Sequence, residues 1–200
     1  MLQKRKVVVT GLGVLAPNGN TTSDYWKALT AGKSGISPIE SFDASDLSVR
    51  IAGELKGFDP QSFFDRKELR KLDPFTIYHL VSSEEAIKNS GINFDKTDGD
   101  RIGVIIGTGI GGIQTLENEH GVFSERGQRR VSPFFVPRFI PNIASGNLAI
   151  KFGLRGPNHT VISACASGTD AIGCAMRTIQ YGDADIMITG GTEASITGLT

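Results

Sequence analysis

Short runs of β-branched apolar residues alternate with helical segments along this chain, and that alternation limits the fold more than any other feature. The hydrophobic pattern and the turn residues predict four strands, at Lys6–Thr10, Arg101–Ile106, Thr160–Ala164 and Asp185–Thr189. The predicted helices are Thr22–Ala31, Asp73–Asn89, Asn142–Lys151 and Ala166–Tyr181. Strands that alternate with helices in this way indicate an α/β fold with a largely parallel, buried sheet.

Composition narrows the class of protein. The chain has 200 residues, of which 39% are hydrophobic and 21% charged, as in a globular domain without a transmembrane run. Lys4–Lys6 followed by Val7–Ala16 resembles a secretory signal, but three valines before paired glycines favour a strand. The 21 basic and 21 acidic residues cancel, so no overall field attracts nucleic acid or anionic lipid.

The two cysteines do not form a disulfide framework. Cys174 follows Cys165 by nine residues, about 13 Å along a helix, which is too far for a disulfide. Reduced thiols without an evident export signal predict a cytoplasmic protein.

Cys165 is the candidate catalytic residue. It follows the apolar residues Val161 and Ile162, precedes a helical pattern, and has the small neighbours Ala164, Ala166 and Gly168. A thiol at the start of a helix gains from free N–H groups and the positive end of the dipole, which favour thiolate. A buried structural cysteine is the alternative, since free cysteine is among the most buried residue types.

The loop Gly107–Gly112 fits the G-x-G-x-x-G pattern of a dinucleotide site, because it follows a strand and precedes a helix. An NAD(P)-binding oxidoreductase is therefore an alternative function. However, the region about 20 positions further on, residues 124–133, fails to supply the expected ribose carboxylate: its single acidic residue, Glu125, lies among Arg126, Arg129 and Arg130. Gly11–Ala16 is an equally weak match. Glycines that let a tight turn pack closely account for both loops.

Charge and metal-ligand patterns give one further candidate site. Lys67, Arg70 and Lys71 share one face if their segment is helical, which predicts either a solvated surface or a contact with an acidic partner. The three histidines, His79, His120 and His159, are far apart in the sequence, so we assign no metal and expect no cofactor.

Several long segments together resemble the β-ketoacyl-[acyl-carrier-protein] synthases, the condensing enzymes with a thiolase-like fold, and most closely the type II elongating synthases. The most specific are Gly156–Gly168, around Cys165, and Ala184–Ala194. Others are Val7–Gly13 with Pro17-Asn18-Gly19, Gly107–Gly112, Ser132–Pro137 and Pro141–Gly146.

The resemblance implies roles for individual residues. Cys165 would accept the acyl group, and its backbone N–H would form half of an oxyanion hole. Ile110 would lie at the inner end of the acyl pocket. Phe135 and Val136 would belong to the segment that meets the dimer mate and its acyl pocket, and Lys67, Arg70 and Lys71 to the surface that binds the carrier protein.

The resemblance also implies a reaction and an architecture. Malonyl-acyl-carrier protein would lose carbon dioxide and be condensed with the acyl group on Cys165 in fatty acid biosynthesis, with a polyketide-type ketosynthase as a related possibility. The family's complete core has five layers, α/β/α/β/α, and residues 1–200 would form its N-terminal half. Because the family's two histidines, lysine and second oxyanion-hole donor come from a C-terminal half, we expect this fragment to be inactive alone. A non-catalytic half that pairs with a partner chain is a further alternative.

Overall fold

A computed structural model describes residues 5–200 of the chain. Its helices are α1 (Thr22–Thr30), α2 (Arg66–Leu69), α3 (Pro74–Ser90), α4 (Ile113–Arg126), α5 (Phe135–Phe139), α6 (Ile143–Phe152) and α7 (Ser167–Tyr181). Its strands are β1 (Ser37–Pro38), β2 (Ile51–Ala52), β3 (Ile102–Gly107), β4 (Asn158–Val161) and β5 (Ile186–Gly191). The last three strands form the sheet that positions the candidate site.

The central sheet is parallel, in the order β4-β3-β5. Every residue of the middle strand, β3, is buried, as expected when both faces of a parallel sheet are covered. β1 and β2 form a separate antiparallel pair. The predicted α/β class with a mostly parallel sheet is confirmed.

Side chains of β3 alternate between two apolar layers. Val104 and Ile106 pack with Leu80 of α3 and Leu148 of α6 on one face. On the other face, Ile105 packs against the small side chains of α7, Ala171 and Ala175, which are fully or almost fully buried. Helices therefore cover both faces of the sheet, and α7 begins at its carboxyl edge.

Glycines at two loops allow close packing of backbone on backbone. A Cβ added to Gly13 would lie 1.8 Å from the carbonyl oxygen of Ser82 in α3, and one added to Gly11 would lie 2.0 Å from that of Ala86. Neither position has room for a side chain, so the segment that precedes α1 lies directly on α3.

The four predicted helices occur within one residue of their predicted ends, and three of the four strands are present. The strand predicted at Thr160–Ala164 instead spans Asn158–Val161, because the chain leaves the extended conformation for the turn at Ala164–Ala166, where φ of Ala164 is positive. The strand predicted at Lys6–Thr10 is wrong, since these residues form no strand. Val8 and Val9 are 65% and 78% exposed. Arg5 contacts Asp185, just before β5, but within residues 5–200 β5 pairs only with β3. A run of valines becomes a strand only where a neighbour accepts its hydrogen bonds.

No helix among residues 5–200 is both long enough and apolar enough to cross a membrane.

Candidate active site

Cys165 lies in a single turn of 3₁₀ helix, Ala164–Ala166, between the end of β4 and the start of α7. Its thiol is free and exposed, as is required of a nucleophile, so the buried structural cysteine is ruled out for this residue. Cys174 is also free and half-buried on α7, so the two cysteines are not paired, as predicted.

The residue before the thiol has a strained backbone. Ala164 has a φ of 52°, and it is the only residue other than glycine with a positive φ among the described residues. The left-handed conformation costs a residue with a Cβ about 1–2 kcal/mol. The strain sharpens the turn, so that Cys165 stands clear of the sheet at the first turn of α7, whose leading N–H groups have no intrahelical acceptors.

The glycine loop after β3 lies beside this turn. A Cβ added to Gly109 would lie 3.8 Å from the Cα of Ala164, and one added to Gly107 would lie 2.1 Å from the Ser167 carbonyl oxygen. Ile110, the predicted pocket residue, is 41% exposed at the tip of this loop. The loop and the Cys165 turn are thus in contact, although they are more than fifty positions apart in the sequence.

A carboxylate holds the glycine loop in place. Glu193, two residues beyond β5, accepts hydrogen bonds from the N–H groups of Gly109 at 2.6 Å and Ile110 at 3.3 Å, and from the Thr108 hydroxyl at 3.3 Å. Sequence reasoning gave Glu193 no role. Its position just past the carboxyl end of a predicted parallel strand was the available signal, because ligands and loop contacts gather at that edge.

The same carboxylate argues against a dinucleotide site. A pyrophosphate would need the N–H groups that Glu193 already occupies, and its negative charge would be repelled there. Added Cβ atoms at Gly107 and Gly112 would meet the backbones of Ser167 and Arg138, respectively, at less than 3 Å. The glycines of this loop therefore serve close packing, and the oxidoreductase alternative has no phosphate cradle here.

The predicted dimer-facing residues lie on α5, which also contacts the glycine loop. Gly112 donates its N–H to the Phe139 carbonyl at 3.0 Å, and the rings of Phe135 and Phe139 stack with centroids 5.8 Å apart. Val136 is 57% exposed, and Phe134, just before the helix, is also exposed. The glycine loop therefore contacts both the Cys165 turn and α5.

The predicted basic patch is exposed but only partly helical. Lys67 is in α2 and Arg70 caps it, whereas Lys71 lies just past the end, because the helix has only four residues. The capping box formed by Asp65 and Glu68 fixes the start of this short helix. The expectation of one continuous helical face is corrected accordingly. The Lys71 ammonium instead lies 5.8 Å from the centre of the Phe134 ring, next to α5.

A buried carboxylate, missed by sequence reasoning, joins the segment that bears this patch to α4, the helix that follows the glycine loop. Asp73 is fully buried, caps α3 through Phe75 N–H, and accepts from the hydroxyl and N–H of Thr115 in α4 at 2.6 and 3.0 Å. Burial raises the pKa of Asp73, while these hydrogen bonds and the charge of Arg138 act in the opposite direction. Asp-Pro at a helix start predicts the cap, but nothing local predicts the contact with Thr115.

The histidines lie on three different elements: His79 on α3, His120 on α4 and His159 on β4. Across the part of the chain that the structure describes, no group of three or more His, Cys, Asp or Glu side chains is arranged to hold a metal ion.

Comparison with known proteins places this geometry in a family. Residues 4–200 match the family described as beta-ketoacyl synthase, N-terminal domain. Among curated relatives, the 3-oxoacyl-[acyl-carrier-protein] synthases 2 of Synechocystis sp. and Vibrio cholerae are each 48% identical to this chain, over 100% and 99% of its length. The chain spans about half the length of these relatives, 48% of each.

Solved structures of ketosynthases have the same fold. A type II polyketide ketosynthase, in complex with its acyl-carrier protein (AntDE:AntF), superposes with a TM-score of 0.84 at 28% identity, covering 98% of this chain and 52% of that one. A beta-ketoacyl synthase from Burkholderia phymatum gives a TM-score of 0.81 at 27% identity, covering 98% and 48%. The fold is thus thiolase-like, as expected, and the chain belongs to the β-ketoacyl synthase family, in which it matches the N-terminal domain.

Proposed function

We propose that the protein carrying this chain is an acyltransferase, a 3-oxoacyl-[acyl-carrier-protein] synthase that elongates fatty acids, and that Cys165 holds the growing acyl group as a thioester. The observation that carries the proposal is an exposed, free thiol on a strained turn at the start of α7. The 48% identity to synthases of this name supports it.

The geometry suits the two steps of a condensation. In the first, the Cys165 thiolate attacks the thioester of an acyl-carrier protein, a tetrahedral oxyanion forms, and the carrier thiolate leaves. The N–H of Cys165, at the helix start, would donate one hydrogen bond to that oxyanion. In the second, malonyl-carrier protein loses carbon dioxide, and the resulting carbanion attacks the acyl-cysteine carbonyl, which releases the Cys165 thiolate and a 3-ketoacyl-carrier protein.

Other groups would assist that chemistry. We assign the inner acyl pocket to Ile110 and its outer wall to Phe135 and Val136, the last two acting across a homodimer. The second oxyanion donor and the groups that promote decarboxylation are assigned to the remainder of the protein, since the relatives are about twice as long. No cofactor or metal enters the proposed steps, and we place the reaction in the cytoplasm.

The acidic acyl-carrier protein would dock on Lys67, Arg70 and Lys71. All three side chains are exposed, and none of them forms an ion pair within residues 5–200. Free cations on one surface segment raise the rate of encounter with an acidic partner.

A polyketide-type ketosynthase is the second candidate, since a type II polyketide ketosynthase superposes on 98% of the chain. Purified carrier proteins of the two pathways separate the candidates, because the elongating synthase would accept the fatty acid carrier with the higher kcat/KM.

The proposal is tested by condensation with the protein expressed from its full coding sequence. Octanoyl-carrier protein and radiolabelled malonyl-carrier protein should yield labelled 3-ketoacyl product, and Cys165→Ala should lower the yield roughly a thousandfold or more. The matched control is Cys174→Ala, which removes the other free thiol and should keep the rate within about twofold of wild type. Product formed by Cys165→Ala at the wild-type rate would refute the proposal.

A further inference from the structure

We propose that Ser167 is a positioning residue for Cys165, and that its hydroxyl fixes the position of the thiol relative to the glycine loop Gly107–Gly112. This inference rests on the proposed role of Cys165 and adds a second residue to it. Ser167 is the first residue of α7 and is 3% exposed, in contrast to the exposed residues just before it.

The Ser167 hydroxyl closes the strained turn. Its oxygen accepts a hydrogen bond from Ser163 N–H at 2.8 Å, and its proton faces the carbonyl oxygen of Ala164 at 2.7 Å. These two partners lie on either side of the Ala164 Cα, the residue whose φ is positive. The Ser163 N–H is only partly buried, but the Ser167 hydroxyl oxygen is its acceptor within the protein. Loss of the hydroxyl therefore removes two contacts that hold this turn in its left-handed form.

The same hydroxyl connects the turn to the glycine loop. It lies 3.1 Å from the carbonyl oxygen of Thr108, while Thr108 N–H donates to the carbonyl of Val161 at 3.2 Å. Thr108 therefore contacts the chain on both sides of the turn: its N–H donates to Val161 before the turn, and its carbonyl oxygen shares the single Ser167 hydroxyl proton with Ala164 after it. Because Thr108 is 2% exposed and rigidly placed after β3, it fixes both ends of the segment that presents Cys165.

The Thr108 side chain extends this connection into the candidate acyl pocket. Its hydroxyl donates to Glu193 and accepts from Gly111 N–H at 3.2 Å, so it shares the carboxylate that holds Gly109 and Ile110. The Cys165 turn and the loop that carries Ile110 thus have one common anchor. Ser167 is the only side chain of the turn that reaches it, whereas the Ser163 hydroxyl points to Asp170 instead.

The experiment compares Ser167→Ala with wild type, in the protein expressed from its full coding sequence. Removing one oxygen adds no volume, and alanine favours the helix, so the variant should fold. The rate constant for single-turnover transfer from octanoyl-carrier protein to Cys165 should fall about 10- to 100-fold, as expected of a displaced nucleophile. The carrier-protein concentration at half-maximal rate should stay within about twofold, since the docking surface is unchanged.

Two further variants separate positioning from general destabilisation. Ser167→Thr keeps the hydroxyl and should recover most of the transfer rate. Thr178→Val removes a hydroxyl nearer the C-terminal end of α7, where it donates to the Cys174 carbonyl, and should transfer the acyl group at the wild-type rate. Transfer by Ser167→Ala at the wild-type rate, or by Ser167→Thr as slowly as by Ser167→Ala, would overturn the inference while the proposed function stands. Failure of wild-type protein to load Cys165 would overturn both.

Discussion

His79 is a titratable residue placed where it cannot easily be charged. Its ring is 3% exposed on α3, Nδ1 lies 3.1 Å from the Ser83 hydroxyl, and Nε2 has no partner among the described residues. Burial lowers the pKa of His79 from 6.5 to about 3. The folded protein therefore keeps this imidazole neutral, whereas the unfolded chain protonates it below pH 6.5.

This difference predicts a stability that falls on mild acidification. Between pH 6.5 and 3 the unfolded state binds more protons on His79, so the free energy of unfolding decreases as the pH falls through that range. From pH 7 to 5.5 the loss should be about 1 kcal/mol. Asp73, whose pKa burial raises, acts in the opposite direction, because the folded state then binds the proton more readily.

Urea denaturation at the two pH values measures the effect. His79→Leu should lose the pH dependence, whatever it does to absolute stability, and His120→Gln, a change at an exposed histidine, should retain it. An equal decrease in the His79→Leu variant and in wild type would show that another group is responsible.

At the scale of the element, sequence patterns predicted what is decided locally. The apolar pattern and the terminal glycine of α7 predict its ends to within one residue, and the pattern and Asp-Pro start of α3 do the same for that helix. The apolar run of β3 predicts a buried strand. The failure at Lys6–Thr10 has a different cause, since pairing depends on a distant neighbour. For the same reason Glu193 and Ser167 were missed: their contacts span 84 and 59 residues.

The contact of the N-terminal glycines with α3 is testable as a packing constraint. Gly13→Ala should destabilise the protein by about 1–3 kcal/mol, because its new methyl group would overlap the Ser82 carbonyl. The matched control is Gly121→Ala in α4, where no atom lies within 4 Å and alanine should stabilise the helix by up to about 1 kcal/mol. Thermal unfolding of both variants measures these changes in stability. A Gly13→Ala variant as stable as wild type would contradict the observed packing.

At the scale of the whole molecule, the Asp73 contact with Thr115 links the segment that bears the basic patch to the helix that follows the glycine loop. A carrier protein docked on Lys67, Arg70 and Lys71 would thus lie on a segment that buried hydrogen bonds connect to the helix after the proposed acyl pocket. The net charge of the chain is zero, so the attraction has to come from this local cluster.

Charge reversal in the patch should therefore weaken docking without impairing chemistry. Arg70→Glu should raise KM for the acyl-carrier protein about tenfold, equivalent to about 1.4 kcal/mol, with kcat nearly unchanged. Lys33→Glu, an equal change of net charge at another exposed lysine, should leave KM within about twofold. The Arg70→Glu effect should shrink as salt is added, because exposed charges are screened. An unchanged KM in Arg70→Glu would exclude Arg70 from the docking surface.

The central claim is that the exposed thiol at the start of α7 carries the acyl group. Peptide mass spectrometry of the protein expressed from its full coding sequence, after brief incubation with octanoyl-carrier protein alone, tests it most directly. We predict an octanoyl adduct on the peptide that contains Cys165 and none in Cys165→Ala. An unmodified Cys165, with the acyl group elsewhere or nowhere on the protein, would contradict the account.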